Sequence, residues 1–275
     1  MKSIYLSITV FILSAASCQK TDKQAGQAFY EGEELSDKAQ IIRDKHTKAT
    51  TFVINTSGKW VLYAGFSTDK IDYSKPVAGS FVAGRYQLAV SDSSRLYFQL
   101  VSDKGRCILS EKRLPMEGGY NFRDLGGIRS KDGKHLKWGK LFRTDDMCYL
   151  SDNDLTYLES IPVTTVVDFR ENDEIKQAPD NYPASVKNVR RLPVMPGSLS
   201  MKTLSTYTSS QLDTVMMKMN VTLVSDSAAV RQYRLFFRLL QEEKNIPLLF
   251  HCSAGKDRTG MAAALILFAL NVDEA

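Results

Sequence analysis

The chain has 275 residues, a length that favours two domains over one. With 43% hydrophobic and 24% charged residues it reads as globular, with enough apolar material for a sizeable core. Its formal charge of +5 excludes a nucleic-acid footprint, because no Lys/Arg run is long enough or interleaved with aromatics; the weak positive field suits an anionic partner.

Residues 1–17 read as a targeting segment. Lys2 is the charged start, Ile4 to Leu13 the apolar stretch, and Ala15-Ala16-Ser17 the small-residue cleavage site. The apolar stretch is too short to span a bilayer. Cys18 follows directly and the site resembles a bacterial lipobox, with Ala15 where Leu is usual. The resemblance implies an exported lipoprotein facing the periplasm or the cell exterior, touching the membrane only through a lipid on Cys18; plain secretion is the alternative. Residues 18–46 are polar and charged and read as a tether, with a short helix expected around Asp37 to Arg43.

Residues 47–113 change character. Thr51–Asn55, Trp60–Ala64, Arg85–Val90, Leu96–Ser102 and Arg106–Glu111 are short β-rich runs. Ser57-Gly58 and Lys104-Gly105 punctuate them as hairpin turns. The expectation is a small all-β sandwich, immunoglobulin-like in outline, with Trp60 and Tyr63 in its core and no chemistry of its own.

From residue 114 the pattern turns to α/β. Four glycines surround Arg123-Asp124 in Gly118 to Gly127, which predicts a tightly packed loop braced by a salt bridge. A hairpin and a strand ending at Arg143 follow. Ser151 caps a helix, with Asp154 completing a capping box. Val163 to Phe169 is a buried strand, and strand–helix–strand order implies a mostly parallel sheet flanked by helices. Asp168 ends that strand, where open α/β sheets place their sites; the alternative is a loop-capping acid. Asn188 to Val194 is the next strand. Met195 to Asp226 is either a mobile lid or an ordinary helical connection, and Val230 to Lys244 is an amphipathic helix.

The chemistry concentrates in Ile246 to Thr259. An apolar strand reaches His251 and Cys252, five residues separate Cys252 from Arg258, and a helix is expected to begin near Arg258. Loop amides and a helix N-terminus create an anion site with a thiol at its floor. An electropositive loop favours the thiolate. Arg258 offers a planar fork for two oxygens of an oxyanion, Thr259 is placed to donate to the sulfur, and Ser253, Ala254, Gly255 and Lys256 supply the rest of the cradle. Cys107 and Cys148 complete the cysteines of the mature body. Their spacing suggests neither a metal site nor a disulfide framework; Cys148 is read as a resolving partner for Cys252 or as a buried structural residue.

H-C-S-A-G-K-D-R-T-G resembles the signature of the cysteine-dependent tyrosine phosphatases, in their bacterial tyrosine and dual-specificity branch. N-F-R-D-L-G-G and D-F-R…E…P-D, ending at Asp180, match the same branch. The resemblance covers residues 114–275. It implies an α/β phosphatase domain, a phosphotyrosine or phosphoinositide substrate, a cysteinyl-phosphate on Cys252, and no cofactor or metal. Its motif favours Asp257 as general acid; Asp168, Asp213 and Asp226 compete. Branch members look longer, so the domain is expected to be truncated, with Asn271 to Ala275 opening another helix. Rival readings are a phosphoinositide phosphatase suggested by Lys256, a non-catalytic phosphate-binding module, and an arsenate reductase or sulfurtransferase.

Overall fold

A computed structural model describes residues 32–195 and 208–273. The targeting segment, Cys18, the first part of the tether and the first part of the lid-or-connection stretch lie outside the described residues. Among the described residues no helix is long and apolar enough to cross a membrane.

Nine short strands come first: β1 (Glu33–Glu34), β2 (Ala39–Arg43), β3 (Thr50–Ile54), β4 (Trp60–Gly65), β5 (Ile71–Asp72), β6 (Ala78–Ser80), β7 (Gly84–Leu88), β8 (Tyr97–Ser102) and β9 (Gly105–Leu109). They form a three-stranded sheet, β2-β3-β7, and a six-stranded sheet, β1-β9-β8-β4-β5 with β6 also on β4. Phe52, Ile54, Trp60, Leu62, Phe98 and Leu100 pack between them as one buried cluster. The helix expected around Asp37 is a strand instead. In β2, Ala39, Ile41 and Arg43 point inward while Gln40 and Ile42 face out, a period of two that fits a half-buried strand. The β structure therefore begins within the stretch read as tether. Tyr63 is only half-buried.

Five strands follow: β10 (Arg123–Asp124), β11 (Leu141–Thr144), β12 (Thr165–Asp168), β13 (Asn188–Arg191) and β14 (Leu248–His251), ordered β10-β11-β14-β12-β13. Only β10 runs antiparallel. Every residue of β12 and β14 is buried, as central parallel strands covered on both faces require. Leu248 and Phe250 point to one face, against Tyr233, Phe236 and Ile266. Leu249 points to the other, against Phe142, Tyr157 and Leu158.

The helices are α1 (Asp152–Glu159), α2 (Asn172–Gln177), α3 (Ser209–Ser225), α4 (Ser227–Leu240) and α5 (Asp257–Ala269). Ser151 caps α1 through a complete capping box with Asp154. Asp154 also accepts the N–H groups of Glu117 and Gly118 at 2.7 and 2.8 Å, so the cap anchors the Gly-rich loop. Asn271 opens no further helix within the described residues. With φ of 56° it ends α5: its N–H donates to the Phe268 carbonyl and that of Val272 to the Leu267 carbonyl, both at 3.0 Å. That pair of bonds is a left-handed helix stop.

Buried charges join the β sheets to the α/β sheet. Arg95 is fully buried and donates to Asp124 at 2.8 Å. Asp124 also accepts the N–H groups of Gly126 and Gly139, both at 2.7 Å. The expected brace exists, but its arginine is Arg95 rather than the exposed Arg123. Burial pushes the Asp124 carboxyl up, and the Arg95 charge opposes that.

Candidate active site

β14 carries Cys252 to the carboxyl end of the sheet and α5 starts five residues later. Cys252 is buried at the base of the loop between them. Three contacts hold that loop. Asn121 Nδ2 donates to the Ala254 carbonyl at 2.7 Å, Arg143 Nη2 to the Gly255 carbonyl at 2.8 Å, and the Asp146 N–H to the Ser253 carbonyl at 3.0 Å. Gly255 has φ of 67°, and a Cβ there would lie 2.5 Å from the Thr144 carbonyl oxygen. Only glycine fits both the turn and the approach. These contacts turn loop carbonyls outward onto the scaffold. The first-turn amides of α5 have no carbonyl within the helix to bond, which leaves donors for an oxyanion.

Arg258 is buried at the far side of the loop. Its Nη1 donates to Glu174 Oε2 and its Nη2 to Glu174 Oε1, each at 2.7 Å. Glu174 Oε1 also accepts the Ser253 hydroxyl at 2.6 Å. Burial alone would raise the Glu174 carboxyl, but the hydrogen bonds from Arg258 and Ser253 win and hold it at about 2. Glu174 is the residue sequence reasoning missed. The signal was the glutamate of the D-F-R…E run, six residues beyond Asp168, whose side chain could not be aimed without the fold.

Asp168 is buried and both its oxygens accept bonds from Arg170, at 2.9 to 3.2 Å. Arg170 also pairs with Asp180. Asp168, Asp180 and His251 offer ligand atoms within 4.8 Å of one another. The Arg170 guanidinium already bonds both carboxylates, so the set is built around a side-chain cation rather than a metal ion.

Asp257 is the half-buried first residue of α5, and Lys256 before it is exposed. Asp213 is exposed on α3, and Asp226 caps α4 by accepting the Ala229 N–H at 2.8 Å. The Thr259 hydroxyl is buried and has no hydrogen-bond partner among the described residues. The bond to sulfur expected from sequence is therefore not made, although the hydroxyl is desolvated and free to donate. Burial and the neighbouring Asp146, which accepts its S–H at 2.8 Å, push the Cys148 thiol up to about 12. That fits a structural cysteine better than a resolving one.

A thiol at a strand end, a braced loop and a carboxylate-clamped arginine at a helix N-terminus define a thiol-based anion site. A family model described as "Tyrosine phosphatase family" matches residues 114–275, and the chain belongs to that family. It is 36% identical over 160 residues to a Cupriavidus necator protein named "Putative tyrosine-protein phosphatase", covering 55% of each chain. It is 27% identical over 188 residues to the "Triple specificity protein phosphatase PtpB" of Mycobacterium tuberculosis, covering 60% of this chain and 66% of that one. It is 31% identical over 134 residues to a tyrosine-protein phosphatase of Nostoc commune, covering 48% and 44%. The matches span about half to two thirds of the length of these relatives.

Proposed function

We propose that the protein hydrolyses phosphotyrosine through a cysteinyl-phosphate intermediate. The observation that carries this reading is the placement of buried Cys252 and Arg258 at the two ends of one loop, with Arg258 already oriented by Glu174. The Cys252 sulfur attacks phosphorus and the phosphorus–oxygen ester bond breaks. Amides from residues 253–258 and the Arg258 fork hold the equatorial oxygens. Asp257 protonates the leaving phenol oxygen, then takes a proton from the water that displaces sulfur. Inorganic phosphate leaves and the sulfur returns to its starting state. Thr259 donates to the sulfur as it departs, a role supported by its unpartnered hydroxyl. Asp168 orients the site through the Arg170 and Asp180 network and transfers no proton, since Arg170 occupies its oxygens.

The further reading is of an exported protein with a lipid on Cys18, a tether, a β-sandwich module and the phosphatase domain. The composition of residues 1–17 and the position of Cys18 motivate it. Labelling with a fatty-acid probe is expected to mark the wild type and not Cys18→Ala; a soluble mature protein that starts elsewhere contradicts the lipid. For the enzyme reading, Cys252→Ser is expected to abolish turnover of aryl phosphates while still binding a phosphotyrosyl peptide. Turnover that survives in Cys252→Ser refutes it.

A further inference from the structure

Three arginines stand in one row at the edge of the α/β sheet. Arg113 faces Arg123 in an antiparallel bridge, and Arg123 faces Arg143 across β10 and β11. Residues directly opposite in a sheet share a face, and like charges there destabilise it. Carboxylates usually relieve such a row. Here Arg113, Arg123 and Arg143 form no ion pair among the described residues, whereas Arg43, Arg95, Arg170 and Arg258 do. Arg113 spends one nitrogen on the Tyr120 carbonyl at 3.0 Å. Arg143 spends one on the Gly255 carbonyl, and its buried Nε has no partner among the described residues.

The row ends at the thiol loop. Burial and the Arg123 charge push the Arg143 guanidinium down, while the Cys252 sulfur pushes it up, so Arg143 feels both its neighbour in the row and the nucleophile. A fourth cation comes from the β sheets. In the turn after β2, Lys45 donates to the Gly119 carbonyl at 3.2 Å and lies 4.7 Å from the Tyr120 ring centroid. Tyr120 is 69% exposed, and the next residue, Asn121, holds the thiol loop.

We propose that Lys45, Arg113 and Arg123 form a lane that binds acidic residues flanking the phosphotyrosine of an extended peptide. This rests on the phosphatase reading. Neighbouring strands lie about 4.8 Å apart, so two steps of the row span about 10 Å. An extended chain rises about 3.3 Å per residue, so an acidic residue roughly two to four positions from the phosphotyrosine meets the row. The exposed Tyr120 ring gives the intervening side chains an apolar surface. The β sheets thereby take part in substrate choice through Lys45.

The test compares two phosphotyrosyl peptides that differ only in carrying Glu or Gln beside the phosphotyrosine, with p-nitrophenyl phosphate as a small ester too short to reach the lane. Several exposed ion pairs predict a preference of about tenfold in kcat/KM for the Glu peptide at low salt, shrinking as salt is added. Arg113→Gln with Arg123→Gln is expected to bring the ratio near one while p-nitrophenyl phosphate turnover persists, and Arg113→Lys with Arg123→Lys to retain it. Equal rates on both peptides in the wild type, or a preference that survives the Gln pair, overturns the lane. So does a Gln pair that loses only hydrolysis of a phosphoinositide in vesicles. If the wild type turns over no aryl phosphate, the phosphatase reading falls and peptide binding by fluorescence anisotropy decides the lane. A Glu-peptide preference lost in the Gln pair then supports it, and equal binding overturns it.

Discussion

Glu174 holds the Arg258 guanidinium by two hydrogen bonds of 2.7 Å. The same carboxylate accepts the Ser253 hydroxyl, so one side chain fixes both ends of the thiol loop. Glu174→Gln keeps the shape but removes the charge and one acceptor. Freed by even an ångström, Arg258 no longer meets the oxyanion in line, and kcat/KM is expected to fall about 10²-fold. A change in KM alone contradicts a positioning role.

The same pair gives a pH signature. The Glu174 carboxyl is held at about 2 in the fold, below the ordinary 4.5. A depressed carboxyl contributes stability that is present above the unfolded value and lost as pH falls toward the folded one. The contribution therefore disappears between roughly pH 4.5 and pH 2. Glu174 is about a third exposed, so solvent screening limits it to about 1 kcal/mol. Urea unfolding of wild type and Glu174→Gln at pH 6 and pH 3 is expected to show the gap closing at the lower pH. A gap that is constant with pH contradicts the assignment.

Thr259 separates stability from chemistry. Its buried hydroxyl forms no bond among the described residues, so Thr259→Val, which keeps the shape and removes only the hydroxyl, is expected to unfold at nearly the wild-type urea midpoint. Loss of a donor to the departing sulfur is expected to slow hydrolysis of the intermediate, so phosphoenzyme accumulates in a rapid-quench experiment. A destabilised variant with no accumulation shows that the hydroxyl serves packing.

The two sequence-ranked acids separate in the same way. Asp257→Asn is expected to slow a phosphotyrosyl substrate by about 10²–10⁴-fold and an activated nitrophenyl ester far less. Asp168→Asn is expected to cost about 1.5–3 kcal/mol of stability, because Arg170 loses one charged acceptor while keeping Asp180. Leaving-group dependence in Asp213→Asn or Asp226→Asn instead moves the acid to the α3–α4 segment.

What sequence could and could not reveal follows from where information is local. The Cys252–Arg258 spacing, the Ser151 cap and the apolar runs of β12 and β14 are written within a few residues, and each was legible. Glu174, Asn121 and Arg143 act on a loop 79 to 133 residues away, and no periodicity aims them. The β2 strand was missed because its inward Arg43 breaks the apolar alternation. That charge is satisfied by Glu111 and by the carbonyls of Ser91, Asp92 and Ser94, all distant in sequence. The brace on Asp124 was expected, but its partner Arg95 lies across a boundary that composition drew at residue 113. Asp168 stood at the strand end as read, but the bonds that Arg170 makes to both its oxygens could not be read from the sequence.

The central claim is a phosphorus–sulfur bond on Cys252. The direct measurement is peptide mass mapping of the wild-type protein, acid-quenched while turning over a phosphotyrosyl substrate. The expected result is one phosphoryl group on the peptide that contains Cys252, absent from Cys252→Ser. Phosphoryl transfer to another side chain, or turnover by Cys252→Ser, contradicts the account.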